Sequence, residues 1–437
     1  MTPPERSVRR TLFWMVAAAL LLRLIVMCFV YGQQLNPDHG NWAFGFEEGR
    51  VAASIANGQG FSNPLYGPTG PTAWYGPVYP YILAGVFKLL GTYTKASCIA
   101  ILSFNSLISA LTCLPIFFLT RKGLGAGVAK VAGWIWVFFP DAVYGPNGRI
   151  WDTWLATLLL ATLFFISLKL EDSTRVRDWA GFGLLSGVAA LTSPVLLSVL
   201  PILALWMLYR LHRQQKRWLA PALSALLAVI LVVSPWVVRN YRTFHRFIPI
   251  GDSLGLEIGI GNNGESWFPY SVTDGPWNPW KGDAQWKEFQ RLGELGYFDK
   301  KSQEGAAYIR SHPSWYAGRV VRRIVYVWTN FWSLSERYRS TEALTPLTAC
   351  LYAILSVLTL LGLCRAFRQY GIAVAMPYAL VLFFFPLIYY FTHPAEWYRR
   401  PIDPFFVALA ACEVFALASS KSPAFLVRTK VASERAS

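Results

Sequence analysis

The chain has 437 residues, of which 54% are hydrophobic and 16% aromatic, with 19 Trp. Charged residues are 15% of the total, against about 25% in soluble domains, and the mean hydropathy is +0.36. These values exclude a soluble fold, and without a low-complexity tract, a glycine period or a sustained heptad, disorder, collagen and coiled coil are excluded as well. A polytopic all-α membrane protein remains. The formal charge of +16 does not read as a nucleic-acid footprint, because the basic residues are dispersed in short clusters between apolar runs, where the positive-inside rule puts them. The six cysteines, Cys28, Cys98, Cys113, Cys350, Cys364 and Cys412, all lie in or beside apolar runs. A disulfide framework or a metal spacing is not indicated.

A bilayer core takes about 20 apolar helical residues. The first such run, 11–31, follows Arg6, Arg9 and Arg10 and contains Arg23. It has no small-residue cleavage site, so it reads as a retained signal anchor with a cytoplasmic N-terminus. The next stretch, GFEEGRVAASIANGQGF, reads as an amphipathic helix opening near Glu47 and ending at Gly58 or Gly60. Residues 77–91 are apolar but short for a span, and 315–334 carry Arg319, Arg322 and Arg323; both read as amphipathic helices at the outer interface. Further spans are expected at 97–120, 124–144, 152–170, 179–193, 194–211, 218–237, 345–364, 371–391 and 402–419. Ten spans put the clusters around Arg121–Lys122, Lys169–Arg177, Arg210–Arg217, Arg365–Arg368 and the tail on the cytoplasmic side, with both termini; twelve or thirteen spans are the alternative count. The whole chain, 1–437, is then one transmembrane domain, with a first outer loop at 32–96 and a large outer loop at 238–344 that carries turn signals, a helix near 283–296 and several Trp.

Ionisable groups near membrane depth ask for a reason. The first outer loop holds Asp38, Glu47 and Glu48 close to the end of span one. An acid in a first helical turn is also ordinary dipole chemistry. Asp152 follows Arg149 in PNGRIWDTW at the outer start of a span, where an Asp commonly caps a helix. Arg149, Arg239, Arg242, Arg246, Arg399 and Arg400 sit near outer span ends, against the cytoplasmic bias. Snorkelling explains any one of them; several beside carboxylates suggest a site for an anionic group, since the guanidinium fork binds phosphate bidentately. The five histidines have no metal spacing, GIGNNG at 259–264 lacks a strand-to-helix context and reads as a turn, and no Walker motif or G-x-S-x-G elbow is present.

Several of these segments follow one another in a telling order: GFEEGRVAASIANGQGFSNP, GPTGPTAWYGPVYPYILAGVFKLLG, the Arg121–Lys122 turn, SPWVVRNY and WYRRPIDP. The order resembles the membrane glycosyltransferases of the GT-C fold, in particular family 39, which includes protein O-mannosyltransferases and lipid A aminoarabinose transferases. Motif-level matching covers about a quarter of the chain. The resemblance implies a GT-C-type bundle of about 10–13 transmembrane helices with outer juxtamembrane helices. It implies an inverting glycosyltransferase that moves a sugar from a polyprenyl-phosphate donor to a protein, lipid or glycan acceptor at the outer face, in a bacterial inner membrane with the site facing the periplasm or exterior. No cofactor, metal or nucleic acid is expected. Family members carry a catalytic Asp in the first outer loop; here Phe44 stands near that position and Glu47 one helical turn later. Glu47 is therefore the first choice of base, with Asp38 and Glu48 as alternatives, and Asp152 corresponds to a later acidic position. Arg149, Arg239, Arg399 and Arg400 are the expected phosphate ligands. His393, Glu396 and Tyr398, in HPAEWYRRPIDP, are the expected acceptor or sugar contacts. The competing readings are a transporter or lipid flippase, which would line a path with mid-span polar groups, and a non-catalytic assembly protein that kept the fold and lost the base.

Overall fold

The computed structural model describes residues 3–29, 44, 46–148, 150–264, 283–330, 332 and 345–420. Nine helices among them are long and apolar enough to cross a membrane, and the chain is a multi-pass membrane protein. The described residues contain no strand, only an isolated bridge between Ser62 and Pro71. Helix α1, Pro3–Phe29, covers the first expected span, and α2, Phe46–Ala56, is the expected amphipathic helix. Its chain is turned by Gly58 and Gly60, both at positive φ. The short apolar helix α3 is Val78–Leu90.

The second span is split into α4, Lys95–Leu111, and α5, Cys113–Gly123. The third is split into α6, Ala126–Phe138, and α7, Pro140–Gly148. Pro140 has no N–H, so the Trp136 carbonyl loses its helical donor. Arg23 answers that loss from mid-span. Its Nη2 donates to Trp136 O at 3.3 Å, its Nη1 to Ala19 O at 2.8 Å and its Nε to Ser109 Oγ at 2.9 Å. A buried charge in α1 is thus a bracket across three helices rather than a transport group.

Next come α8, Thr153–Leu170, and α9, Val176–Thr192. Ser193 is extended, and Pro194–Ser198 forms a 3-10 turn into α10, Leu200–Arg213, followed by α11, Leu219–Phe244. The span expected at 179–193 is α9. At 17 residues it is shorter than the nine, because Arg177 and Asp178 open it and Pro194 follows its end. Helix α11 runs parallel to it at close range: a Cβ on Gly183 would lie 2.3 Å from Ala225 O, and one on Gly187 would lie 2.7 Å from Val232 Cβ. The Gly-x-x-x-Gly spacing lets the two backbones approach, as small residues do where lipid supplies no hydrophobic drive.

The large outer loop supplies α12, Leu254–Gly261, α13, Asp283–Ser311, and α14, Pro313–Thr329. The turn expected at 259–264 is therefore helical through Gly261. The helix expected near 283–296 is longer and kinks at Gly293, where φ is 69°. Trp267, Trp277 and Trp280 lie outside the described residues. Leu256, Ile260, Phe289, Tyr297 and Phe298 pack with Leu65 and Trp74 of the first outer loop. Glu294 ties the two loops: it accepts from the Thr72 hydroxyl at 2.5 Å and from Ala73 N–H at 2.7 Å. The bundle closes with α15, Thr345–Tyr370, α16, Ile372–Phe384, α17, Leu387–Phe391, a 3-10 segment Glu396–Ile402, and α18, Asp403–Ser420.

The two ends of the bundle differ. At one end, Glu171 meets Arg210, Asp172 meets Lys216, and the Tyr370 hydroxyl donates to Leu124 O. This gathers the basic turns 121–125, 169–175, 210–217 and 365–370. The opposite ends of α8 and α9 carry Asp152 and Ser193, and there the segments expected as outer loops assemble.

Candidate active site

Helix α2 presents two acids in its first turn, where the dipole favours negative charge. Both are buried: Glu47 is 2% exposed and Glu48 1%. The helix is seated by Val51 and Ala52, while Phe44, just before it, packs its ring on Phe87 and Tyr93.

Asp152 stands at the N-cap of α8, yet its side chain makes no capping bond. It lines a cavity of about 450 Å³ enclosed by the first outer loop, the Ser193–Ser198 turn, the start of α12 and residues 388–398. Ser193 hydrogen-bonds its carboxyl, and its backbone N–H donates to Glu48 Oε2 at 3.3 Å. Glu47, Glu48 and Asp152 thus converge from two chain segments. Burial pushes the Asp152 carboxyl up to about 6. Burial, then the charges of Asp152 and Glu47, hold Glu48 well above the usual carboxylate range. Adjacent buried carboxylates resist ionising together, and both shifts in this cluster are upward.

The walls are aromatic. Trp151 lies between Phe46 and Trp397, at ring separations of 6.1 and 4.8 Å. Tyr389 stacks on Tyr398 at 4.7 Å, and Trp74 on Tyr75 at 5.7 Å. Burial and the charges of Glu47, Glu48 and Glu257 raise the Tyr75 hydroxyl well above its ordinary range, so it stays a donor. Glu257, on α12, also lines the cavity and pairs with Nε2 of the buried His393.

The expected site residues are distributed as follows. Asp152 and Tyr398 line the cavity, the buried Glu48 is bonded to the Asp152 backbone N–H with Glu47 preceding it on α2, and His393 pairs with Glu257. Asp38 and Arg149 lie outside the described residues, as does the side chain of Glu396. The arginines are engaged with protein. Arg239 donates from Nη1 to Thr72 O at 2.7 Å and from Nη2 to Phe61 O at 2.8 Å, stitching the first outer loop to α11. Arg400 holds Asp141 bidentately at 2.8 and 3.0 Å, over the Trp154 ring. Arg399 donates from Nε to Asp403 at 2.7 Å and lies over Tyr352 and Phe406. Its Nη2 makes no hydrogen bond, and it borders a void of about 10 Å³ walled by Tyr389 and Tyr398, room for one water. Sequence reasoning did not single out Glu257, Tyr75, Thr153 or Ser193. Glu257 is the only charge within GLEIGIG, and that is the one signal it offered. No group of three His, Cys, Asp or Glu that could hold a metal occurs among the described residues.

A family model for dolichyl-phosphate-mannose-protein mannosyltransferases matches residues 71–238. The oligosaccharyltransferase of Archaeoglobus fulgidus, solved with zinc and sulfate, is similar over 95% of this chain and 51% of its own, at 14% identity and a TM-score of 0.51. The fold is of the GT-C type. The same enzyme tethered to an acceptor peptide carrying the NVT sequon superposes over 94% of this chain with a TM-score of 0.52, at 14% identity and 51% of its own length. ArnT from Cupriavidus metallidurans, bound to undecaprenyl phosphate, aligns over 93% of this chain and 78% of its own, at 13% identity and a TM-score of 0.38. No curated protein matches the chain. The chain spans about half the length of the archaeal structures.

Proposed function

We propose that the chain is an inverting glycosyltransferase that takes a sugar from a polyprenyl-phosphate donor at the Asp152 cavity, on the periplasmic or outer face of a bacterial inner membrane. The observation that carries this reading is the Asp152 carboxyl, raised to about 6, in the wall of an aromatic cavity on a GT-C scaffold. A group of that strength is matched to proton transfer near neutral pH. The match of residues 71–238 to a dolichyl-phosphate-mannose family model supports the donor class, and the gathering of basic turns at the opposite end supports the orientation.

In the reaction, an acceptor oxygen or nitrogen attacks the anomeric carbon as the bond from that carbon to the phosphate oxygen breaks. The proton lost by the acceptor passes to Asp152, and polyprenyl phosphate leaves with the electron pair. Attack opposite the phosphate inverts the anomeric centre. The sequence favours Glu47 as base; we assign the role to Asp152 because it lines the cavity, which neither Glu47 nor Glu48 does, with Glu48 bonded to its backbone N–H. Arg149, two residues before the cavity segment 151–153 in sequence, and Arg399, whose buried Nη2 makes no hydrogen bond, are the arginines we assign to the phosphate. Arg239 and Arg400 act as braces. The aromatic faces suit a sugar ring, whose C–H face packs on them.

The test uses the full chain in lipid nanodiscs with a radiolabelled polyprenyl-phosphate hexose and a membrane extract as acceptor source. Wild type releases polyprenyl phosphate and labels an acceptor, and D152N loses both. Label transported without bond cleavage would instead favour the transporter reading.

A further inference from the structure

The cavity carries more chemistry than a base and a sugar platform. Among the described residues its charged lining is acidic: Asp152 and Glu257 face it, and neither Lys nor Arg lines it. Two hydroxyls of its wall, Thr153 Oγ1 and Ser198 Oγ, are buried without a hydrogen-bond partner. Thr153 is 8% exposed. Buried polar atoms are normally satisfied, so these hydroxyls have a hydrogen bond to give to a ligand group or an ordered water. The volume of about 450 Å³ lies in the range of ligand sites.

Glu257 is held in place by a dedicated set of contacts. Helix α12 is pressed onto residues 390–393 so closely that a Cβ on Gly261 would lie 2.1 Å from Thr392 O. Asn262 donates to Phe391 O at 3.1 Å. The buried Arg323 of α14 bonds Gly261 O, the Asn262 side chain and the carbonyls of Tyr390 and Phe391. The result is the pairing of Glu257 Oε2 with His393 Nε2, whose Nδ1 makes no hydrogen bond. The network assigns the proton to Nε2, so His393 donates and fixes one carboxylate oxygen while the other remains for the cavity. A carboxylate held this way accepts hydrogen bonds and repels anions, and Glu257 does so from a half-buried position on the cavity wall.

We propose that Glu257, positioned by His393, is the specificity-determining carboxylate of this cavity: it admits a polyhydroxylated head group that is neutral or cationic and excludes one that carries a negative charge. This rests on reading the cavity as the carbohydrate site of glycosyl transfer. It separates the functions of the two carboxylates. Asp152 takes the proton, while Glu257 reads hydroxyl or ammonium donors on the sugar or acceptor. The phosphate of a lipid donor stays outside this compartment.

The experiment measures binding, so it does not depend on turnover. The full chain in nanodiscs is titrated at neutral pH with glucosamine, glucose and glucuronate, three matched rings of different charge, by saturation-transfer NMR. Wild type binds them in that order of decreasing affinity. E257Q compresses the ratio between glucosamine and glucuronate about tenfold, or about 1.4 kcal/mol. H393N, which removes the anchor, moves the ratio the same way by less. S253D puts a new carboxylate on the wall at the N-cap of α12, where Asp is well tolerated, and widens the ratio. Glucuronate binding wild type as tightly as glucose, no binding of any of the three, or an unchanged ratio in E257Q and S253D overturns the proposal. An unchanged ratio in H393N alone overturns the role of His393. Binding with the expected order, in a protein that never releases polyprenyl phosphate, sinks the transferase reading and leaves the cavity assignment standing.

Discussion

Replacing Asp152 by Asn separates two consequences of one burial. The carboxyl rises from 3.8 to about 6 on folding, which corresponds to about 3 kcal/mol of penalty on its charged form. The sign follows from proton linkage. A carboxyl whose folded value is raised binds protons more tightly in the native state, so its contribution to stability is greatest below about 4 and is lost as the pH rises through about 6. Above that window wild type bears the whole penalty and D152N bears none. Asn keeps an oxygen for the Ser193 contact and the backbone N–H for Glu48. Thermal unfolding in nanodiscs, followed by tryptophan fluorescence, should therefore show D152N more stable than wild type at pH 8, by up to about 3 kcal/mol, with the gap closing toward pH 4. Transfer should move the opposite way: D152N should lose about 10²- to 10⁴-fold in turnover, and wild-type turnover should fall as the pH drops through about 6, where the base becomes protonated. A gap in unfolding midpoint that is the same at both pH values would refute the linkage reasoning. Turnover in D152N within a few-fold of wild type would refute the role as base.

Three further outcomes follow from the packing. R400Q leaves Asp141 without its bidentate partner and should destabilise by about 3–5 kcal/mol; the double variant R400Q/D141N should recover most of that, and additive losses in unfolding midpoint would argue against the pair. G183L should destabilise by about 1–3 kcal/mol through overpacking, since its Cβ meets Ala225 O, whereas G181L, whose Cβ meets nothing within 4 Å, should unfold like wild type. E294A removes the acceptor for the Thr72 hydroxyl and Ala73 N–H, so amide exchange over residues 72–75 should speed up about tenfold or more, the equivalent of one lost buried bond; unchanged exchange there would show that the two outer loops are not held together by Glu294.

The spans were legible because a membrane imposes its requirements locally. Twenty apolar residues and a basic flank identify a helix without reference to the rest of the chain, and α1, α8 and α11 lie close to where hydropathy places them. Helix α2 was legible for the same reason, with acids first, then an apolar stripe, then glycines. Asp152 was half legible: its position at a helix start fits a cap and a catalytic group equally, and only the missing capping bond, together with the cavity, separates the two. Residues whose meaning depends on distant partners were not legible. Glu257 meets His393 across 136 positions and Arg400 meets Asp141 across 259, and no local pattern announces either. The surplus of outer arginines read as a phosphate site, but Arg239, Arg399 and Arg400 are largely committed to loop carbonyls and neighbouring carboxylates. Nothing in a single sequence tells a guanidinium that braces a loop from one that waits for a ligand.

The Arg23 bracket also constrains how the protein is made. The first span reaches the bilayer with a guanidinium near its middle, at an insertion cost of about 3 kcal/mol. The acceptors that satisfy it, Ser109 and the Trp136 carbonyl, lie 86 and 113 residues further along the chain. Until they emerge from the ribosome, α1 has only its own Ala19 carbonyl to offer that charge. The anchor is thus a late-settling element of its own bundle. Burial of Arg23 with its full set of acceptors is therefore complete only once the second and third spans stand beside α1.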